Sequence, residues 1–236
     1  MPNFIIEKSS LDLHRKIPTI QLVAYRSECY FDNLYNDYSI KKPIELQTWS
    51  IKRKAQFLAG RIAIKSSFKQ LDLKAAKVIE IGRGGEPLWP QGFSGCISHQ
   101  DQFSIACLEK ANNSIGLDIE RLLDQEGQLN CEKTVLSVKD KKFIAQNSKQ
   151  LTKQKLTTLI FSAKESFFKA AYKSVEALFD FDAVSIQSLD IKKQQLTFYC
   201  EVSLDAKIRK SDEFVVQFCF CQLRETEHVV CYCELS

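Results

Sequence analysis

Apolar positions recur along this chain with two periods, and the change from one to the other marks its organisation. Between residues 46 and 73, Phe57, Leu58, Ile62, Ile64 and Phe68 are set among Lys52, Arg53, Lys54, Arg61 and Lys65, which predicts a helix. Turn residues follow from Gly82 to Gly92, with Gly84, Gly85, Pro87 and Pro90 punctuating a loop. Three stretches then have strand character, at 95–98, 103–108 and 114–120. A helical region is predicted over about 133–174, with a break near Gln146, Asn147 and Ser148. From Ala183 onward the chain reads as β: 184–186, 196–199, and a hairpin of 214–221 with 229–233. Two successive blocks of strand and helix predict an α+β protein in two subdomains, 1–120 and 121–236, meeting near Asp118 to Arg121.

Composition narrows the class. The chain has 236 residues, 44% hydrophobic and 26% charged, the balance of a soluble globular protein. Charge appears at Glu7 and Lys8, too early for a signal peptide. No stretch reaches the roughly 18 continuous apolar residues of a membrane span. The expected location is the cytoplasm. Nine cysteines, an odd number, suit a reducing compartment in which thiols pack as small apolar groups. Cys219/Cys221 and Cys231/Cys233 could be two arms of a zinc site, but their aromatic and β-branched neighbours favour thiols packed on one strand face.

The net charge of +4 suits an anionic ligand or an acidic partner and is too small to argue for nucleic acid. The excess is local: Lys133, Lys139, Lys141, Lys142, Lys149, Lys153 and Lys155 are countered within that stretch only by Asp140. A solvated helix face explains most such runs; a docking surface for an acidic protein is the sharper alternative.

Four groups of residues can carry chemistry. In Gly116-Leu117-Asp118-Ile119-Glu120, strand alternation puts both carboxylates on one face, about 6–7 Å apart at Cα. Paired carboxylates repel, and a divalent cation with a taste for hard oxygen, such as magnesium, relieves the conflict. A polar outer strand face is the plainer reading. In 161–169, Glu165 and Lys169 stand at i and i+4 on a helix, on the same side as Phe161, Phe168 and Tyr172. That is either a surface ion pair or a partly buried functional pair. Of three histidines, His14 and His228 stand in unremarkable settings, whereas His99 follows Ser98 and the Gly-rich loop, where hydroxyl and imidazole could both donate to phosphate. Arg53, Arg61 and Arg83, with the backbone near Gly84 and Gly85, form a basic set suited to phosphate.

In this order the motifs resemble those of the 4'-phosphopantetheinyl transferase superfamily, in particular its monomeric type, exemplified by the enterobactin-synthetase and surfactin-synthetase activating enzymes. The resemblance runs through 52–61, 82–90, 95–99, 116–120, 161–169 and 181–186. It implies two similar subdomains with pseudo-two-fold symmetry and an active site in the cleft between them. It further implies Asp118, Glu120 and Glu165 as magnesium ligands, and Ser98 and His99 on coenzyme A phosphates. Lys164 and Lys169 would reach those phosphates too. Arg53 and Arg61 would hold the 3'-phosphate and nucleotide end, and Arg83, Gly84, Glu86 and Pro87 would line the adenosine side. The implied reaction moves the 4'-phosphopantetheine arm of coenzyme A to a serine of an acyl, aryl or peptidyl carrier protein, with Glu165, Lys169 and His99 as catalytic residues. The carrier would be an acidic, transient partner, with neither nucleic acid nor membrane involved. Cys96 and Gln100 depart from the family pattern without touching a proposed ligand. Two rival readings are a metal-dependent phosphodiesterase or nuclease and a non-catalytic basic binding protein.

Overall fold

A computed structural model describes residues 3–13, 17–72, 78–111, 113–175 and 179–235. His14 and the end of the first predicted helix at Leu73 lie outside them. The chain divides into two compact units, Met1–Asn112 and Asn113–Ser236. Both mix helix with antiparallel sheet, an α+β composition.

The first unit contains β1 (Ile5–Leu11), β2 (Ile20–Tyr25), a short α1 (Leu34–Asp37), α2 (Ile51–Gln70), the two-residue strands β3 (Glu80–Ile81) and β4 (Pro87–Leu88), β5 (Ser94–Gln100) and β6 (Phe103–Glu109). Its main sheet has the order β1-β2-β6-β5, every pair antiparallel. Ser50 starts α2 by accepting from the Arg53 amide at 3.2 Å, a normal N-cap. The helix buries Ala55, Leu58, Ala59, Ile62, Ala63 and Phe68 against Val23, Tyr25, Ala106 and Leu108. It can sit this close because Gly60 has no side chain: a Cβ there would stand 2.8 Å from Ile97 Cγ2.

The second unit contains β7 (Ser114–Arg121), α3 (Gln125–Thr134), α4 (Val138–Asn147), α5 (Lys153–Val175), β8 (Val184–Asp190), β9 (Gln195–Cys200), β10 (Glu213–Leu223) and β11 (Thr226–Leu235). Its antiparallel sheet runs β7-β11-β10-β9-β8. Strand β7 pairs along its length with β11, so the segment containing Asp118 and Glu120 belongs to this unit, whereas the sequence pattern placed it at the end of the first. Helix α5 buries Leu156, Leu159, Ile160, Ala163, Phe167 and Ala170 on the sheet. The predicted helix break falls between α4 and α5, and α3, which buries only Cys131, was not predicted.

The β10–β11 hairpin decides between the two readings of its cysteines. Phe218 stands opposite Cys231 and Val216 opposite Cys233, while Cys219 faces Val230 and Cys221 faces His228. Cross-strand partners share a face. The two cysteine pairs therefore lie on opposite faces of the sheet, Cys231 and Cys233 in the core, and the four thiols cannot converge on one zinc ion.

Candidate active site

In the second unit the acidic strand lies directly under α5. Asp118 and Glu120 stand opposite Cys231 and Val229, whose side chains enter the core beneath that helix. The two carboxylates thus share a face, as the alternation required, but it is the helix-covered face rather than a solvated one. Strand and helix meet at Gly116, where a Cβ would fall 1.8 Å from the Ser166 carbonyl oxygen. Any side chain at 116 would push α5 away.

That close approach brings α5 to Asp118, which is 3% exposed. Lys169 Nζ donates to Asp118 Oδ1 at 2.6 Å and to the Leu117 carbonyl at 3.3 Å. Ser162 Oγ donates to Asp118 Oδ2 at 2.8 Å. Residues 162 and 169 are two helical turns apart on one face, which is why one carboxylate can reach both. Ser162 carries no signal in the sequence, because a serine inside a helix stands out only once its partner strand is known.

Glu165 is partly buried on the same helix. Burial pushes its carboxyl up, Lys169 pulls it back, and the charge of Asp118 adds to the rise. The two carboxylates therefore feel one another. Among the described residues no three His, Cys, Asp or Glu side chains are gathered into a ready-made metal site. The donor chemistry nevertheless suits a hard divalent cation. Asp118, Glu120 and Glu165 offer oxygen only, and a half-buried carboxyl beside another carboxylate gains most from a nearby cation.

Lys164 requires a correction. It was expected to reach coenzyme A phosphates, but its side chain is wholly enclosed and paired with Asp140 at 2.6 Å. Its ammonium also donates to the Phe181 and Val135 carbonyls, at 2.7 and 3.2 Å. Burial lowers its pKa and Asp140 draws it back up. All three ammonium hydrogens are spent inside the protein, and none is available to a ligand.

The first unit gathers part of the basic set. Arg53, Phe57 and Arg61 lie at i, i+4 and i+8 on one face of α2. Arg53 stacks over Trp49 with its guanidinium 5.5 Å from the ring centre, Arg61 over Phe57 at 4.4 Å, and the two rings are 5.2 Å apart. Burial lowers the Arg61 pKa to about 10. Arg53 Nη1 lies 3.2 Å from His99 Nε2. A guanidinium only donates, so Nε2 accepts and the imidazole proton sits on Nδ1. Neighbouring Ser98 is buried and, by strand alternation, points to the other face from His99. The pair therefore does not act as one clamp. Arg83 and Gly84 are exposed at the β3–β4 turn, where Gly85 adopts φ +87° and Glu86 and Pro87 are half-buried.

The lysine run also divides. Lys139 pairs with Glu201, Lys153 with Glu132 and Lys155 with Glu227, each at 2.6 Å. Lys133, Lys141, Lys142 and Lys149 are exposed and, among the described residues, without an ion-pair partner.

Comparison with known proteins places this arrangement in a class. A family model described as the 4'-phosphopantetheinyl transferase N-terminal domain matches residues 44–109, and one described as the 4'-phosphopantetheinyl transferase superfamily matches residues 114–233. The chain belongs to the 4'-phosphopantetheinyl transferase superfamily. Among its relatives, enterobactin synthase component D of Salmonella typhi is 34% identical over 139 residues, 59% of this chain and 56% of that protein. Enterobactin synthase component D of Escherichia coli O157:H7 is 31% identical over 157 residues, covering 66% of this chain and 71% of the relative. The 4'-phosphopantetheinyl transferase Svp of Streptomyces mobaraensis is 28% identical over 139 residues, 57% of this chain and 54% of its own. The chain thus spans little more than half the length of the Salmonella relatives. Neither family match describes a nuclease or a non-catalytic binding protein. No helix among the described residues is long and apolar enough to cross a membrane.

Proposed function

We propose that this protein transfers the 4'-phosphopantetheine arm of coenzyme A to a serine of an apo-carrier protein and releases adenosine 3',5'-bisphosphate. The observation that carries the reading is the cluster on α5 and β7: Asp118 held at 2.6 Å by Lys169, with the Glu165 carboxyl raised beside it. Superfamily membership supports it.

In this reading the serine oxygen forms a bond to the β-phosphorus of coenzyme A. The bond from that phosphorus to the oxygen bridging the two phosphates breaks. Glu165 takes the serine proton, a role its raised pKa suits, because a carboxylate with a raised pKa is a stronger base and accepts the proton more readily. Lys169 offers positive charge to the departing phosphate, and positioning supplies much of the remainder. Asp118, Glu120 and Glu165 would hold a divalent cation, magnesium by donor preference, which neutralises diphosphate charge when bound. His99, with Ser98, would contact coenzyme A phosphates, Arg53 and Arg61 would hold the 3'-phosphate and nucleotide end, and Arg83, Gly84, Glu86 and Pro87 would line the adenosine side. Lys164, enclosed and paired, is not among these residues.

Two similar halves are part of the same reading. Each unit is an antiparallel sheet carrying one long helix, α2 in the first and α5 in the second. The partner is an acidic carrier protein engaged through the exposed lysines of α3 and α4, and the chain acts as a monomer in the cytoplasm. Magnesium-dependent labelling of a panel of apo-carriers with a fluorescent coenzyme A, read by mass spectrometry, tests the reaction. No mass gain on any carrier would sink it.

A further inference from the structure

The pair Lys164–Asp140 takes no part in the chemistry proposed above, yet neither side chain exposes any surface. It is also fully satisfied. Besides accepting from Lys164, Asp140 Oδ2 accepts from the Ser137 amide at 2.9 Å and the Ser137 hydroxyl at 2.8 Å, and Oδ1 accepts from the Ile186 amide at 2.9 Å. Lys164 adds the Val135 and Phe181 carbonyls. Five pieces of the second unit meet on this one ion pair: the end of α3, the start of α4, the middle of α5, the turn at Phe181–Ala183, and β8.

We infer that Lys164 and Asp140 are positioning residues for the transfer reaction: their ion pair fixes the rotation of α5 about its axis, and with it the aim of Glu165 and Lys169, while tying α4 to the same helix. The inference rests on the transferase reading. Ser162 and Lys169 lie roughly 140–160° around the helix from Lys164 at about 100° per residue. The anchor and the site therefore occupy nearly opposite flanks. On the site flank, the contact at Gly116 sets how closely α5 approaches β7, and the bonds from Ser162 and Lys169 to Asp118 need the helix rolled to one angle. On the other flank, an ammonium with three acceptors tolerates very little roll.

Buried ion pairs are poor sources of net stability, since apolar side chains of similar volume often serve as well. Here the pair also fixes geometry. It connects the helix that bears the catalytic groups to α4, whose outward face bears Val138, Lys141 and Lys142, all exposed. Movement of α4 under a docked partner is thereby resisted by α5 directly.

The test uses the full chain with Lys164→Met, Asp140→Asn and the double variant. Each single change strands a buried polar or charged partner and lowers the melting temperature; the double variant recovers most of that loss. Coenzyme A affinity, measured by calorimetry, stays within about threefold of wild type in every folded variant, while kcat in the double variant falls at least about tenfold. A double variant that melts like wild type but binds coenzyme A about tenfold more weakly would make Lys164 a phosphate contact and overturn the inference. Wild-type kcat in that variant would overturn it too. Should the variants fail to fold, the wild-type Ile186 amide serves instead. It should exchange with deuterium only through global unfolding, and rapid local exchange would refute a rigid anchor. A wild type that labels no apo-carrier, with melting and exchange as expected, would sink the transferase reading alone.

Discussion

Lys169 and Asp118 form a 2.6 Å ion pair across the seam where α5 lies on β7. The pair joins the two sequence motifs that looked chemically active, one acidic strand and one Glu/Lys helix, and Ser162 steadies it by holding the second carboxylate oxygen. Nothing in either motif alone brings them together. The contact depends on the absence of a side chain at Gly116, which lets helix backbone approach strand backbone.

Gly116→Ala should therefore act through packing rather than through backbone conformation. Its Cβ would meet backbone atoms of Ser166 and Ala170, which cannot swing aside as a side chain can. We expect a loss of at least about 1–3 kcal/mol, as for other overpacked cores. Turnover should fall further than stability alone explains, because α5 would lift from Asp118. Thermal melting and steady-state rates on the same preparation check this; a variant indistinguishable from wild type in both would show that α5 shifts freely.

Glu165→Gln removes the proposed base while keeping size and polarity. Transfer should fall by about 10²–10⁴-fold, the usual contribution of a general base. Coenzyme A affinity, measured by calorimetry without magnesium, should change little. Full transfer activity in this variant would cancel the role assigned to Glu165.

Much of the site is legible in the amino-acid sequence because both motifs have regular periods. Ile115, Leu117 and Ile119 alternate with Asp118 and Glu120, and Glu165 and Lys169 are one helical turn apart. What could not be read were relationships across long separations. The family resemblance implied Lys164 as a phosphate contact; its partner in the fold is 24 positions earlier, in the first turn of α4. Trp49 gave no sign that Arg53 stacks on it. Strand β1 escaped prediction because it is an edge strand, mostly exposed, with Glu7, Lys8, Ser9 and Ser10 in succession and little apolar alternation. Helix α3 escaped because a single buried residue, Cys131, leaves no amphipathic stripe.

The lysine run offers a sharper prediction now that its members are sorted. Lys141→Glu with Lys142→Glu should raise KM for an acidic carrier by about tenfold or more at low salt, with KM for coenzyme A unchanged. The effect should shrink as ionic strength rises and charges on the surface are screened. Lys153→Gln is the control: its ammonium is committed to Glu132, and its loss should leave carrier KM near the wild-type value. Equal effects from both changes would mean that net charge, rather than the α4 face, governs the encounter.

Glu201 supplies a prediction about pH. Its carboxylate accepts from Lys139 on α4 at 2.6 Å and from the Ser185 hydroxyl on β8, and these bonds hold its pKa below the ordinary carboxylate value. A group that gives up its proton more readily when folded stabilises the fold wherever it is ionised in both states. That contribution is complete above the unfolded pKa, near 4.3, and disappears as pH falls through the lower folded value. Lys139 remains largely exposed in this pair, so solvent screening keeps the whole contribution below about 1 kcal/mol. Glu201→Gln should accordingly melt slightly below wild type at pH 7. The gap should hold down to about pH 5 and close as the pH drops below about 4. Lys139→Met should show the same closure, because it removes the other half of the pair. A gap for Glu201→Gln that persists unchanged at pH 3 would mean that the side chain acts through packing on β8, and the charge link between α4 and the sheet would have to be abandoned.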